Sequence, residues 1–246
     1  MPAPGRIRRP AKDLNRKDPK ICPAGENAGP GVTTNANISA PYTGTGRIGD
    51  SALAARLDRE LQGQILFDTA SRGRYSTDAS IYQIEPIGVV IPEGEADIIR
   101  AIQIAGDEGI PILPRGAGTS QCGQTVGEAL VLDVSKKFAG IISFDKENRR
   151  VTVQPGVVLD QLNAYLKPHG LYFPVDVSTS SRATIGGMTA NNSCGARSIR
   201  YGNMVDNVRA IDAILADGSR LQFGQMPEDF QATNIPARYR EIVTPL

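Results

Sequence analysis

The segment Pro114-Arg-Gly-Ala-Gly-Thr-Ser-Gln-Cys-Gly-Gln124 is where this 246-residue sequence offers chemistry. Glycines at 116, 118 and 123 permit positive φ and let a ligand approach the main chain closely. Successive backbone N–H groups in such a turn form an anion-binding concavity. Thr119 and Ser120 add hydroxyl donors, and Arg115 adds a cation. A diphosphate is the natural guest. Two nucleotide loops fit less well. A GxGxxG fingerprint needs a final glycine where Gln121 stands, and a helix after it. A GxxxxGK[ST] loop needs a lysine, and Gly118-Thr-Ser-Gln-Cys-Gly-Gln-Thr125 has Gln124 there. The remaining alternative is a glycine-rich connection with no ligand, with Arg115 paired to a surface acid.

Other chemistry is thinly supplied. Cys22, Cys122 and Cys194 are widely spaced and odd in number, which excludes a disulfide scaffold, a CxxC redox pair and a cysteine-held metal. His169 is the single histidine and sits in a turn-like Lys167-Pro-His-Gly170, so no metal site is expected. Lys and Arg number 27 against 26 Asp and Glu, which argues against a dedicated nucleic-acid binder. No run of about 18 apolar residues is present, so no transmembrane helix is expected.

The elements that must position the loop follow from periodicity. Asp50-Ser51 can cap a helix whose Leu53, Leu57 and Leu61 share a face, with Gly63 placed to stop it. Residues 87–91 read as a buried strand, 93–108 as a helix ending at Gly109, and 111–113 as a second strand parallel to the first. No helix is expected after the glycine loop; 129–133 read as a strand. Residues 141–143 and 151–154 read as a hairpin, 158–166 as a helix, and 208–215 with 220–223 as a hairpin around Asp217-Gly218. The fold class is α+β: a small β-α-β lobe and a larger lobe with an antiparallel sheet and flanking helices.

Three stretches divide the chain. Residues 1–48 hold eight basic and three acidic residues, seven prolines and six glycines. Such a stretch buries too little apolar surface to order itself and is expected to be a disordered basic tail. It lacks the apolar run of a secretory signal, and its acids argue against a mitochondrial presequence. Residues 49–83 form a helical lead-in, and 84–246 the ligand-binding domain.

Downstream lies Asp176-Val-Ser-Thr-Ser-Ser-Arg-Ala-Thr-Ile-Gly-Gly-Met-Thr-Ala-Asn-Asn-Ser-Cys-Gly195, followed by Arg200-Tyr-Gly202 and Leu215-Ala-Asp-Gly218. With the PRGxGTS-like loop, these segments resemble the flavoprotein family of p-cresol methylhydroxylase and vanillyl-alcohol oxidase. The D-lactate, glycolate and D-2-hydroxyglutarate dehydrogenase group is the nearest likeness. Tyr75-Ser-Thr-Asp-Ala-Ser-Ile-Tyr82 looks like long bacterial members fused to an iron–sulphur domain.

The resemblance implies FAD, extended between the two lobes. It places Arg115, Gly116, Ala117, Gly118, Thr119 and Ser120 at the diphosphate. It places Thr184, Ile185, Gly186 and Gly187 at a second FAD-contacting turn; alternatively the paired glycines only start a tightly packed helix. Asp176 and Ser178, then Ala190, Asn191 and Gly195, match segments along the cofactor. Asn191 could otherwise cap or turn the chain, and Pro155-Gly156 either touches FAD or turns the chain. Covalently flavinylated relatives carry histidine where Thr119 stands, so noncovalent FAD is expected. Relatives cover the flavin with a cap domain that carries the catalytic groups, which this sequence does not show. No catalytic residue is therefore assigned. The expected function is FAD-dependent oxidation of a small-molecule 2-hydroxy acid, with an unidentified electron acceptor. A noncatalytic nucleotide-binding remnant and an enolpyruvyl-UDP-glucosamine-reductase-like flavin reductase are the alternatives. A cytoplasmic location is expected, with peripheral membrane contact left open.

Overall fold

Residues 46–224 are described by the structure, a computed structural model. The tail expectation for 1–48 therefore falls almost wholly outside the described residues, as does Cys22.

Helix α1 (Ser51–Glu60) starts at Asp50, whose carboxylate accepts from the N–H of Ala52 and Leu53 at 2.9 and 3.0 Å. Leu53 and Leu57 are fully buried, as their spacing predicts, and Leu61 joins the same core. Gly63 does not end the helix through a left-handed cap. It lies against the strand ahead, where a Cβ would collide with the Ile91 carbonyl. β1 (Gln64–Leu66) follows, then α2 (Thr69–Tyr75), capped by Asp68 accepting from the Ser71 N–H.

The apolar run at 87–91 becomes β2 (Gly88–Ile91), buried at every position. Gly88 is required there because the Phe67 ring occupies the space a side chain would fill. Helix α3 (Glu95–Asp107) has no side chain on its cap residue, Gly94. Buried Asp97 instead accepts from the N–H of Gln62 at 3.0 Å and of Glu93 at 2.9 Å, stapling the lead-in to the first turn. Arg56 of α1 donates to Asp107 and Glu108 at the other end of α3.

β3 (Ile112–Arg115) and β4 (Leu130–Asp133) complete a sheet of order β1-β2-β4-β3. β2, β4 and β3 run parallel and β1 antiparallel. The two strands expected as a β-α-β unit are thus parallel but not neighbours, because β4 inserts between them. That insertion puts the glycine loop, residues 116–129, at the carboxyl end of an edge strand. No helix interrupts it.

A second core gathers Val157, Leu159, Leu162, Leu166, Val175, Met188 and Met204. It is built by α4 (Leu159–Leu166), α5 (Ile185–Ala190) and α7 (Met204–Asn207), with α6 (Ser198–Tyr201) lying outside it. The hairpin β5 (Ile141–Asp145) with β6 (Arg150–Val153) packs on it through Phe144 and Val151. A second hairpin, β7 (Ile211–Ile214) with β8 (Arg220–Phe223), turns at Gly218, φ +78°. Among the described residues, the antiparallel part of the α+β fold is these two ribbons rather than one sheet.

Candidate functional site

β3 delivers its last residue, Arg115, into the protein. The side chain is 8% exposed and makes no ion pair among the described residues. Its Nη1 donates to the carbonyls of Tyr75 and Thr125, both at 2.9 Å, and its Nη2 to that of Thr77 at 2.7 Å. The guanidinium also stands 5.2 Å from the Tyr75 ring centre. Burial holds its pKa below the ordinary arginine value, offset by Tyr75, Asp133 and Asp78 nearby. The surface-acid reading of Arg115 does not fit this placement: its Nη1 and Nη2 donate to main-chain carbonyls.

The loop lies directly on that guanidinium. Gly118 has φ +68°, and a Cβ there would come within 2.5 Å of Arg115 Nη2. Among the described residues, no acceptor is placed for the backbone N–H groups of residues 116 to 121. Buried or half-buried main-chain donors normally find partners; this run of six is the longest without one among the described residues, the next being the five N–H groups of 175–179. The hydroxyl of Ser120 is turned onto Gln124 and accepts from the Cys122 N–H at 3.3 Å. Ala117 is exposed, Thr119 half-buried.

The second glycine segment meets the first. A Cβ on Gly116 would collide with the Thr184 hydroxyl, so the two turns touch only because Gly116 has none. Thr184 is the cap residue of α5, 3% exposed, and accepts from the Gly187 N–H at 3.4 Å. The N–H groups of Ile185 and Gly186 donate to the carbonyls of Val157 and Pro155, each at 2.8 Å. The N–H groups of 185–187 are thereby used within the protein. The packed-helix alternative describes Gly186 well, since a Cβ there would lie 2.5 Å from the Pro155 Cβ. Gly156 is likewise wedged between the carbonyls of Val134 and Phe138.

The other expected residues gather around these turns in two further contacts. Asn191, the C-terminal cap of α5, accepts on Oδ1 from Gln124 Nε2 at 2.7 Å, linking α5 to the loop. Asp176 is pressed against Gly195, where a Cβ would collide with its carboxylate. That carboxylate accepts from the Arg197 N–H and pairs with Arg197 Nε at 2.9 Å, both of which hold its pKa below the usual range. Ser178 and Ala190 are exposed. His169 is exposed at the end of a short 3-10 turn, its ring 4.8 Å from Phe144. Cys122 and Cys194 are exposed free thiols. No group of His, Cys, Asp or Glu that could hold a metal exists among the described residues, and no described helix is long and apolar enough to cross a membrane.

The site also has contributors that sequence reasoning did not single out. The Tyr75 hydroxyl donates to buried Asp133 at 2.6 Å, and burial followed by that bond pushes its pKa up. The Thr125 hydroxyl donates to Asp78 at 2.9 Å. Burial pushes the Asp78 carboxyl up, but the bonds from Ser80 and Thr125 keep it below its ordinary value. Gly123, φ +77°, faces the Tyr82 ring. The only signal for these was the Tyr75-to-Tyr82 motif itself.

Comparison with known proteins places the chain in a family. The pattern of the FAD binding domain family matches residues 86–224. The D-2-hydroxyglutarate dehydrogenase of Pseudomonas putida is 39% identical over 197 residues, covering 77% of this chain and 19% of the relative. Glycolate oxidase subunit GlcD of Bacillus subtilis is 37% identical over 170 residues, covering 67% of this chain and 36% of the relative. This chain thus spans only a fraction of the length of such relatives. Among solved structures, Physcomitrella patens BBE-like 1 superimposes with a TM-score of 0.61 at 22% identity, covering 70% of this chain and 37% of the other. That likeness concerns the fold.

Proposed function

This chain belongs to the FAD binding domain family, and we propose that it is the cofactor-holding part of a flavin-dependent dehydrogenase of 2-hydroxy acids. The observation that carries the reading is the run of N–H groups at 116–121 with no acceptor among the described residues. Six main-chain donors without protein partners, beside the Thr119 hydroxyl, fit a diphosphate, which needs donors more than it needs a single cation. Gly116, Ala117, Gly118, Thr119 and Ser120 would hold it. Arg115 would serve the same end indirectly, by fixing the loop.

The turn at Thr184, Ile185, Gly186 and Gly187 would contact the cofactor by close packing, since its donors are already used. Asp176, Ser178, Ala190, Asn191 and Gly195 would line its course. Thr119 has no nucleophile able to form a stable bond to the flavin ring, which supports noncovalent attachment. When bound, FAD supplies a hydride acceptor, and the protein's part is to orient it and exclude competing reactions. The 2-hydroxy acid substrate is supported by the relatives named above, both of which carry such a compound in their names.

The test is direct. Purified chain incubated with FAD and freed of excess by gel filtration should be yellow, and acid precipitation should leave the flavin in the supernatant. Addition of D-2-hydroxy acids to the flavin-loaded protein then separates two outcomes. Bleaching supports a dehydrogenase; flavin binding without bleaching by any of them favours a noncatalytic binding module.

A further inference from the structure

Residues 75–82 lie upstream of the family match at 86–224, yet they contact the loop at Gly123 and Thr125 and the strand ends beside it at Arg115 and Asp133. The carbonyls of Tyr75 and Thr77 accept from Arg115 at its start. The Tyr75 hydroxyl donates to Asp133, which in turn accepts from the N–H and hydroxyl of Ser135 beyond the end of β4. Asp78 accepts from Thr125 at the loop's far end. The Tyr82 ring covers Gly123, where a Cβ would lie 2.5 Å away.

Resting on the functional reading above, we infer that this segment is a brace that sets the loop for FAD, and that Arg115 is a positioning residue rather than a ligand to the diphosphate. A buried guanidinium is tolerated only when its donors are satisfied in fixed geometry. Here three carbonyls from two segments fix it, and Gly118 rests on its face. The path of the chain through 116–118 is therefore set by where the brace holds the guanidinium. Nothing in the brace needs to touch the cofactor. Its effect would be to hold the loop backbone in place before FAD arrives, so that less ordering entropy is lost on binding.

FAD titration of the full chain, at a temperature where circular dichroism shows each variant folded, tests this. Lysine offers its donors from one point and cannot span the three carbonyls, so Arg115→Lys should weaken FAD binding by about tenfold or more. Asp78→Ala deletes the acceptor for Thr125 and Ser80 and should weaken it about fivefold, while Asp78→Asn keeps an acceptor oxygen and should restore most of that loss. A merely structural role would lower the melting temperature of all three while leaving the dissociation constant of the folded fraction unmoved. Should Arg115→Lys fail to fold, the Asp78 pair decides alone. Folded Arg115→Lys and Asp78→Ala proteins that bind FAD within about twofold of the unaltered chain, a difference below the loss of one hydrogen bond, overturn the brace alone. An unaltered chain that binds no FAD overturns the functional reading, and the brace falls with it.

Discussion

Two glycine-rich turns meet in this protein, and they use glycine for opposite ends. At 116–121 the main-chain donors are left without protein partners, on a loop where Ser120 bonds to Gln124. At 185–187 the donors are all taken by Val157, Pro155 and Thr184, and the missing side chains let α5 press against Pro155 and the first turn press against Thr184. Similar sequence, Gly-x-Gly against Gly-Gly, thus gives one turn whose main-chain donors have no protein partner and one built to pack. The lesson is that a glycine motif is read by asking where its N–H groups go.

Substitutions should separate the two roles. The largest effect is expected from Gly118→Val. Its β-branched side chain resists φ +68° and meets the Arg115 guanidinium, so flavin should be lost entirely, with apo stability falling by about 1–2 kcal/mol for the left-handed backbone. Flavin content after gel filtration and a melt of the apoprotein measure both. Gly186→Ala should show the reverse balance. Overpacking against Pro155 costs about 1–3 kcal/mol, visible as a lower melting temperature, with the greater share of the damage in stability rather than in FAD affinity. Thr184→Val removes the cap of a short helix and should cost about 1 kcal/mol, read by the same melt.

Acid supplies the smallest effect. The carboxylates of Asp50, capping α1, and Asp176, holding Arg197, are kept below their ordinary pKa, chiefly by main-chain N–H donors. A depressed folded-state pKa gives stability that is complete above the unfolded value and lost as pH falls through the folded one. The melting temperature should therefore be flat from neutrality down to about pH 5 and fall below about pH 4. Asp50→Asn should shrink the acid-dependent part; an equal drop in the variant would show that the cap carries none of it.

How much of this was legible follows from where the information lies. The leucines of α1 and the Asp50 cap, the buried run of β2 and the Asp217-Gly218 turn are local signals, and each element formed near its expected place. Strand order is not local: nothing in 129–133 says that β4 enters between β2 and β3. α2 carries Gly73 and no apolar stripe, and α5 spans six residues with two glycines, a composition of low helix propensity. Both form because Asp68 and Thr184 cap them and their surroundings accept their donors. In the candidate site, the glycines were readable as marking the loop whose main chain keeps free donors. The true partners of Arg115 were not, because they are main-chain carbonyls of Tyr75, Thr77 and Thr125 and carry no side-chain signature.

Residue-resolved amide hydrogen exchange, with and without FAD, tests the contrast between the two turns most directly. The amides of 116–121 should exchange quickly in the free chain and become protected when FAD is added, whereas those of 185–187 should be slow in both states. Protection that appears at 185–187 while 116–121 stays unchanged would contradict the account.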